Sequence, residues 1–338
     1  MAERVVLHVG LMKSGTSHLQ ARLAGAREGL AAAGFLFPGA TWRDQVNAVS
    51  DVLGRRQRAH GEFEGVWDRM VREIDDFAGT AVISMEFLAA AGADKLRGVV
   101  ESFPSARVEA VLTVRDLGRT VPSMWQETLK NGRTWPWREY VDGIRARSGP
   151  GEVFWREQDA VDVARKWADL VGTDAVTVVT LPRSAADPEL LWHRFCEATG
   201  LPPDAAAPPD SGNESLGAAS ALLMERLNHR VGDLAWPDYS RHVKFGVAKT
   251  ILPRHRGDEP AIGFKASRWV RRAAEEQQAG LVSTGVRVVG DLADLEPVAV
   301  AGESPDRIPV EAQLEAALHA IEELVRRNVR DDHHGTQP

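Results

Sequence analysis

His8-Val9-Gly10-Leu11-Met12-Lys13-Ser14-Gly15-Thr16-Ser17 is the stretch that decides the fold. Upstream of it, Arg4 to Val9 is β-branched and apolar, the pattern of a strand buried on both faces. Downstream, Gly15 to Ala33 reads as a helix closed by Gly34. A glycine-containing turn between strand and helix aims successive backbone N–H groups at one point, and the helix N-terminus adds positive dipole, so the turn is suited to a phosphate. Gly10 and Gly15 keep the offset of the Gly-x-x-x-x-Gly-Lys-[Ser/Thr] loop of nucleoside-triphosphate sites, but that motif's ending reads Gly15-Thr16-Ser17 here. The lysine has moved to position 13, near the crest, where it meets a bridging oxygen or leaving group rather than a β/γ-phosphate.

Working outward, Thr80 to Ser84, Val108 to Val114 and Ala175 to Thr180 repeat the apolar pattern, and Gly285 to Gly290 is a candidate fifth strand. Amphipathic stretches separate them: 64–77, 94–102, 118–130, 158–171, 187–199, 214–229, 264–279 and 311–327. Alternating strands and helices predict an α/β fold of three layers, α/β/α, with a central parallel sheet. The proline-rich stretches Leu201 to Asn213 and Trp236 to Gly263 read as loops, so 201–280 is expected to form a C-terminal loop-and-helix lobe. A single domain over 1–328 with a polar, flexible tail at 329–338 is the simplest organisation. The apolar rhythm of Val310, Leu314, Leu318, Ile321 and Leu324 suits a terminal helix packed back on the domain.

Composition narrows the class. Of 338 residues, 43% are hydrophobic and 26% charged, the balance of a globular protein. No apolar run is long enough to span a bilayer, and Val5 to Met12 contains His8 and stops at Lys13, unlike a signal peptide, so a cytoplasmic location is expected. The one cysteine, Cys196, excludes an intrachain disulfide and a multi-cysteine metal site. A net charge of −7 argues against nucleic acid as a partner, although eleven Lys or Arg against four Asp or Glu between Arg226 and Arg272 leave room for a local anion site. Only seven of the 41 basic residues are lysine, a skew of GC-rich coding that suggests a bacterial source.

Two further positions carry chemistry. Arg115 follows the strand Val108 to Val114, at the edge where ligands bind in open parallel sheets, and Ser123 comes eight residues later, near the first turn of the next helix. A guanidinium fork and a hydroxyl at a helix start can together hold one phosphate. Glu86, at the end of Thr80 to Ser84, is flanked by Met85 and Phe87, and partial desolvation makes a carboxylate a stronger base. His8 is the competing base, but a histidine inside a strand is usually a hydrogen-bonded core residue. Trp125, Trp135 and Trp137 cluster nearby, suited to core packing first and to stacking on a sugar or adenine second.

Lys13-Ser14-Gly15-Thr16-Ser17 followed by His18-Leu19-Gln20 resembles the 5′-phosphosulfate loop of sulfotransferases that use 3′-phosphoadenosine 5′-phosphosulfate (PAPS). Arg115 and Ser123 resemble that family's 3′-phosphate site, with Leu117 where the family has a proline. Arg256-Gly257-Asp258 is similar to the family's loop over the same phosphate. The resemblance implies a P-loop fold and sulfuryl transfer from PAPS to a hydroxyl or amine of a small-molecule or carbohydrate acceptor, with no metal. It further implies Lys13 and Glu86 as catalytic residues and Lys13, Ser14, Gly15, Thr16, Ser17, Arg115 and Ser123 as donor-binding residues. A P-loop kinase using Mg-ATP and a non-catalytic nucleotide-binding protein are the alternatives. Oligomeric state stays open.

Overall fold

The computed structural model describes residues 1–55, 64–183, 187–208 and 215–335, with side chains described as far as Arg330. The chain divides into two compact units. The first comprises Met1–Thr120, Val153–Asn213 and Ser267–Val298, and the second Val121–Glu152, Glu214–Ala266 and Ala299–Pro338.

The first unit holds one six-stranded, all-parallel sheet flanked by helices, an α/β architecture. Its strands are β1 (Arg4–His8), β2 (Phe35–Leu36), β3 (Thr80–Ser84), β4 (Arg107–Val114), β5 (Val176–Thr180) and β6 (Arg287–Val289), in the order β2-β3-β1-β4-β5-β6. Alternate side chains feed two cores. Val5, Leu7, Ile83 and Leu112 join Trp67, Met70, Ile74 and Trp167 on one face. Val6, Val82, Val111 and Val179 join Leu19, Leu23, Trp192 and Phe195 on the other. At about 2 kcal/mol per large buried side chain, this two-sided burial is why the strands read as unbroken apolar runs.

The helix expected over 15–33 is two helices, Thr16–Gly25 and Arg27–Ala32, broken at Ala26 where φ is −118° and ψ 18°. Strand β2, with two residues, and the helices Trp42–Val52, Trp137–Ala146 and Pro150–Gln158 are additional to the expected elements. Trp42–Val52 does have a sequence signal. Thr41 and Asp44 form a capping box.

The second unit departs further from expectation. The stretch 236–263 is mostly helical: a short turn Trp236–Asp238, a π-wound helix Tyr239–Ile251 and a 3₁₀ segment Leu252–Asp258. Pro237 and Pro253 sit in the first turns of their segments, where a missing N–H breaks no intrahelical bond. The expected helix over 214–229 is Ala218–Arg230, and Asn213 and Glu214, just before it, lie outside the described residues. The Glu259 carboxylate caps its first turn, accepting from the Ser220 N–H (2.7 Å) and hydroxyl (2.5 Å). The terminal helix is Val310–Gly335, so 329–335 is helical rather than a loose tail, and 336–338 lie outside the described residues.

That helix packs on Ala218–Arg230 and Tyr239–Ile251 through Gln313, Ala316 and Ala320, not through the apolar rhythm. Val310, Leu314, Leu318, Ile321 and Leu324 are exposed. Small side chains let helix backbones approach closely, which favours the alanine face for packing. Trp125 and Trp137 are core residues with rings edge-on at 5.2 Å, and the Trp125 indole donates to the Trp135 carbonyl (2.9 Å).

Candidate active site

Strands β3 and β1 end together, with His8 in register with Ser84, while their neighbour β4, whose Val111 is in register with His8, runs on to Val114. The chain leaves β1 toward β2 and β3, and later crosses to β4, so β1 and β4 flank a topological switch point, where ligands bind in open sheets. Glu86, the loop 10–16 and Arg115 follow these three strands in that spatial order.

The loop begins as an extension of the sheet. The Val9 N–H donates to the Val111 carbonyl (2.9 Å) and the Leu11 N–H to that of Thr113 (2.8 Å). It then turns through three left-handed residues, Gly10 (φ 46°), Lys13 (φ 66°) and Gly15 (φ 90°). A Cβ on Gly10 would lie 2.4 Å from Thr16 Cγ2, and one on Gly15 2.5 Å from Leu191 Cδ2, so both positions need glycine. Lys13 carries a side chain in that region, at a cost of about 1–2 kcal/mol. Helix Thr16–Gly25 starts at Gly15 without any side-chain cap, leaving its first turn to present backbone N–H groups with the positive end of the dipole.

Beneath the loop lies a buried polar chain. His8 Nδ1 contacts Ser84 Oγ (2.7 Å), and His8 Nε2 contacts Thr113 Oγ1 (3.1 Å). Thr113 Oγ1 meets Ser14 Oγ at 2.7 Å, and the Ser14 hydroxyl donates to the Leu11 carbonyl (2.5 Å). His8 is wholly buried, and desolvation pushes its imidazole down to about 3, so the ring is a neutral core group engaged at both nitrogens. Ser14 is likewise fully buried, its hydroxyl committed to the loop. Thr16 is buried, Ser17 exposed and Lys13 half-buried. Gln158 holds the crest by donating to the Met12 carbonyl (3.0 Å), and Gln277 in turn donates to the Gln158 carbonyl (2.9 Å).

Arg115 reaches the loop directly, Nη1 donating to the Lys13 carbonyl (3.3 Å). Burial lowers its guanidinium to about 10, with Arg119 adding and Asp116 opposing, so it stays charged at neutral pH. Asp116, buried, caps the following helix Leu117–Lys130 by accepting from the Arg119 N–H (3.0 Å), and it pairs with the Arg119 guanidinium. This cap starts the helix at once after Asp116. Ser123 is therefore the seventh helical residue, about 9 Å along the axis rather than in the first turn. It belongs to the second unit, and Arg115 to the first.

On the other side, Glu86 opens the 3₁₀ turn Glu86–Leu88 and is half-buried. Gln20, buried on the helix that follows the loop, donates to Glu86 Oε2 (3.2 Å) and to the Ser84 carbonyl (3.0 Å). Gln45 accepts from the Ser84 N–H (2.9 Å). Composition gave no reason to choose Gln45 or Gln158; Ser84, which closes one apolar run, and Thr113, one residue before the end of another, are the visible trace of the network. In the basic segment, Arg256 donates to Ser215 Oγ (3.2 Å) and the Glu259 carbonyl (3.2 Å), and Arg254 pairs with Glu323, so both also stabilise the second unit internally.

Among the described residues, no group of three or more His, Cys, Asp or Glu is placed to hold a metal ion, and no helix is long and apolar enough to cross a membrane. No family model matches the chain. No curated protein matches it either. Among solved structures, the chain is similar to a sulfotransferase from Alicyclobacillus acidocaldarius, with a TM-score of 0.41 and 17% identity over 72% of this chain and 97% of that one, a likeness too distant to argue from.

Proposed function

We propose that the protein is a sulfotransferase that moves a sulfuryl group from PAPS to a hydroxyl or amine of a small-molecule or carbohydrate acceptor. The observation that carries this reading is the strained Lys13 at the crest of a loop that enters an uncapped helix, tied to Arg115 just past the end of the neighbouring strand β4. The donor set fits a phosphate: an ammonium, backbone N–H groups of Thr16 and Ser17, and a dipole, all on one turn. PAPS supplies an activated sulfuryl group on a 5′-phosphate leaving group.

Glu86 takes the proton of the acceptor hydroxyl, whose oxygen forms a bond to sulfur as the bond from sulfur to the phosphate oxygen breaks. Lys13 and the helix N-terminus stabilise the charge that collects on the departing 5′-phosphate. Arg115 takes the 3′-phosphate, a second anion that an ATP site does not require. Gln20 orients Glu86. The network from Ser84 through His8 and Thr113 to Ser14 holds the loop shape, which makes Ser14 a scaffold within the loop rather than a side-chain ligand.

Calorimetric titration with 3′-phosphoadenosine 5′-phosphate, beside ATP with Mg²⁺, tests the reading. Binding in about the micromolar range, weakened about 10–100-fold in Arg115→Ala and weak for ATP, is the expected result. A preference for Mg-ATP would point to a kinase, and silence toward both would remove the proposal.

A further inference from the structure

The terminal helix Val310–Gly335 turns an apolar stripe to solvent: Val310 (59% exposed), Leu314 (57%), Leu318 (50%), Ile321 (56%), Val325 (56%) and Val329 (50%). The opposite face, through Gln313, Ala316 and Ala320, is already used within the second unit. Scattered exposed leucines need no explanation, whereas six in one row along about 28 Å of helix do.

The spacing of the stripe is 4-4-3-4-4. Val310 to Ile321, Leu314 to Val325 and Leu318 to Val329 are each eleven residues, a repeat of about 3.67 per turn that keeps the row on one side of a nearly straight helix. The same spacing reads identically in both directions. A second copy laid antiparallel about a two-fold axis between residues 319 and 320 would therefore match apolar with apolar at every layer: Val310 with Val329, Leu314 with Val325, Leu318 with Ile321, each pair occurring twice.

Charge points the same way. Glu311 and Glu315 stand at the start of the helix and Arg326 and Arg330 near its end, all exposed, with Arg326 also paired to Glu322 on its own helix. Antiparallel pairing sets the acidic end of one copy beside the basic end of the other and opposes the helix dipoles; parallel pairing sets glutamate beside glutamate. Covering the stripe on two copies removes about 1,000 Å² from water, the lower bound of a specific interface. We infer that the protein is a homodimer in which the helices Val310–Gly335 of two copies pair antiparallel through this stripe.

Sedimentation equilibrium of the full chain at roughly 1–100 µM tests this. The expected species has twice the mass of the chain. Leu318→Glu with Ile321→Glu should raise Kd by at least about 100-fold, because carboxylates would be buried at the two-fold axis. Far-UV circular dichroism and melting temperature, checked in parallel below the dissociation range, should not change, since both side chains are half exposed in one copy. A second arm fixes direction. Val310→Cys mixed with Val329→Cys should form a mixed disulfide under mild oxidation, while Val310→Cys alone should not cross-link. Monomer at every concentration, a dimer indifferent to the double substitution, or self-linking of Val310→Cys would overturn the proposal. So would a monomer that floats with phosphatidylcholine–phosphatidylglycerol vesicles and stops doing so when the stripe is charged.

Discussion

The two units handle polar and apolar groups in opposite ways. In the first, the sheet buries apolar side chains on both faces, and the polar residues at its carboxyl edge are bonded to one another beneath a loop that presents charge outward. In the second, small and polar residues such as Gln313, Ala316 and Ala320 face inward on the terminal helix, while its leucines and isoleucine meet water. A parallel strand has no spare face, so its composition and its burial must agree. A helix has several faces and packs whichever lets its neighbours come closest. The first unit thus holds the candidate chemistry, and the second carries a surface whose partner is another molecule.

The largest effect expected of this contrast is at Lys13. Lys13→Ala should lower kcat by about 10²–10³-fold while the Kd for 3′-phosphoadenosine 5′-phosphate changes far less. Lys13→Gly should lose as much activity without a lower melting temperature, because glycine accepts the left-handed backbone at no steric cost. Equal losses in kcat and binding for Lys13→Ala would assign the lysine to ground-state binding instead. Next comes Arg115→Ala, which should weaken the bisphosphate by about 10–100-fold and leave ATP unaffected, as measured by calorimetry. Indifference of both ligands would detach Arg115 from the site.

The buried network predicts a pH dependence of stability. His8 is neutral in the folded chain down to about 3, whereas the unfolded chain takes a proton near 6.5. Between those values the unfolded state binds more protons, so this contribution is complete above pH 6.5 and is lost as pH falls toward 3, at no more than about 1.4 kcal/mol per pH unit. Denaturant titrations from pH 7 to 5 should show the decline, and His8→Gln should flatten it even if its overall stability is lower. An unchanged slope in the variant would mean that other groups dominate. The smallest effect is at Cys196, buried, with its thiol pushed up to about 12 mainly by desolvation. It should react with thiol reagents only on unfolding; rapid labelling of the native protein would show that the sheet's helical cover opens readily.

Legibility in the sequence followed the same division. That Lys13, Glu86 and Arg115 lie past the ends of neighbouring strands could be read from sequence, because each follows a continuous apolar run and in a parallel sheet the carboxyl ends of neighbouring strands lie on one edge. Ser123 falls in the second turn of its helix, the seventh residue from Leu117, because that helix starts directly after Asp116, within one residue of the start expected from the sequence. Gln45 and Gln158 left no trace, since a glutamine that bonds the backbone across 39 or 146 residues has the same letter as one in solvent.

By itself, then, the sequence determined the parallel sheet, the loop with its displaced lysine and the two strand-end residues beside it, because two-sided burial and backbone turns are local constraints written in composition and spacing. Only the tertiary structure decided that His8 is a neutral support, that Glu259 caps the helix Ala218–Arg230 from 39 residues beyond Ser220, that 236–258 is helical, and which face of the terminal helix meets solvent. Those outcomes depend on which distant surfaces meet, and a helix with two usable faces does not carry that choice in its periodicity.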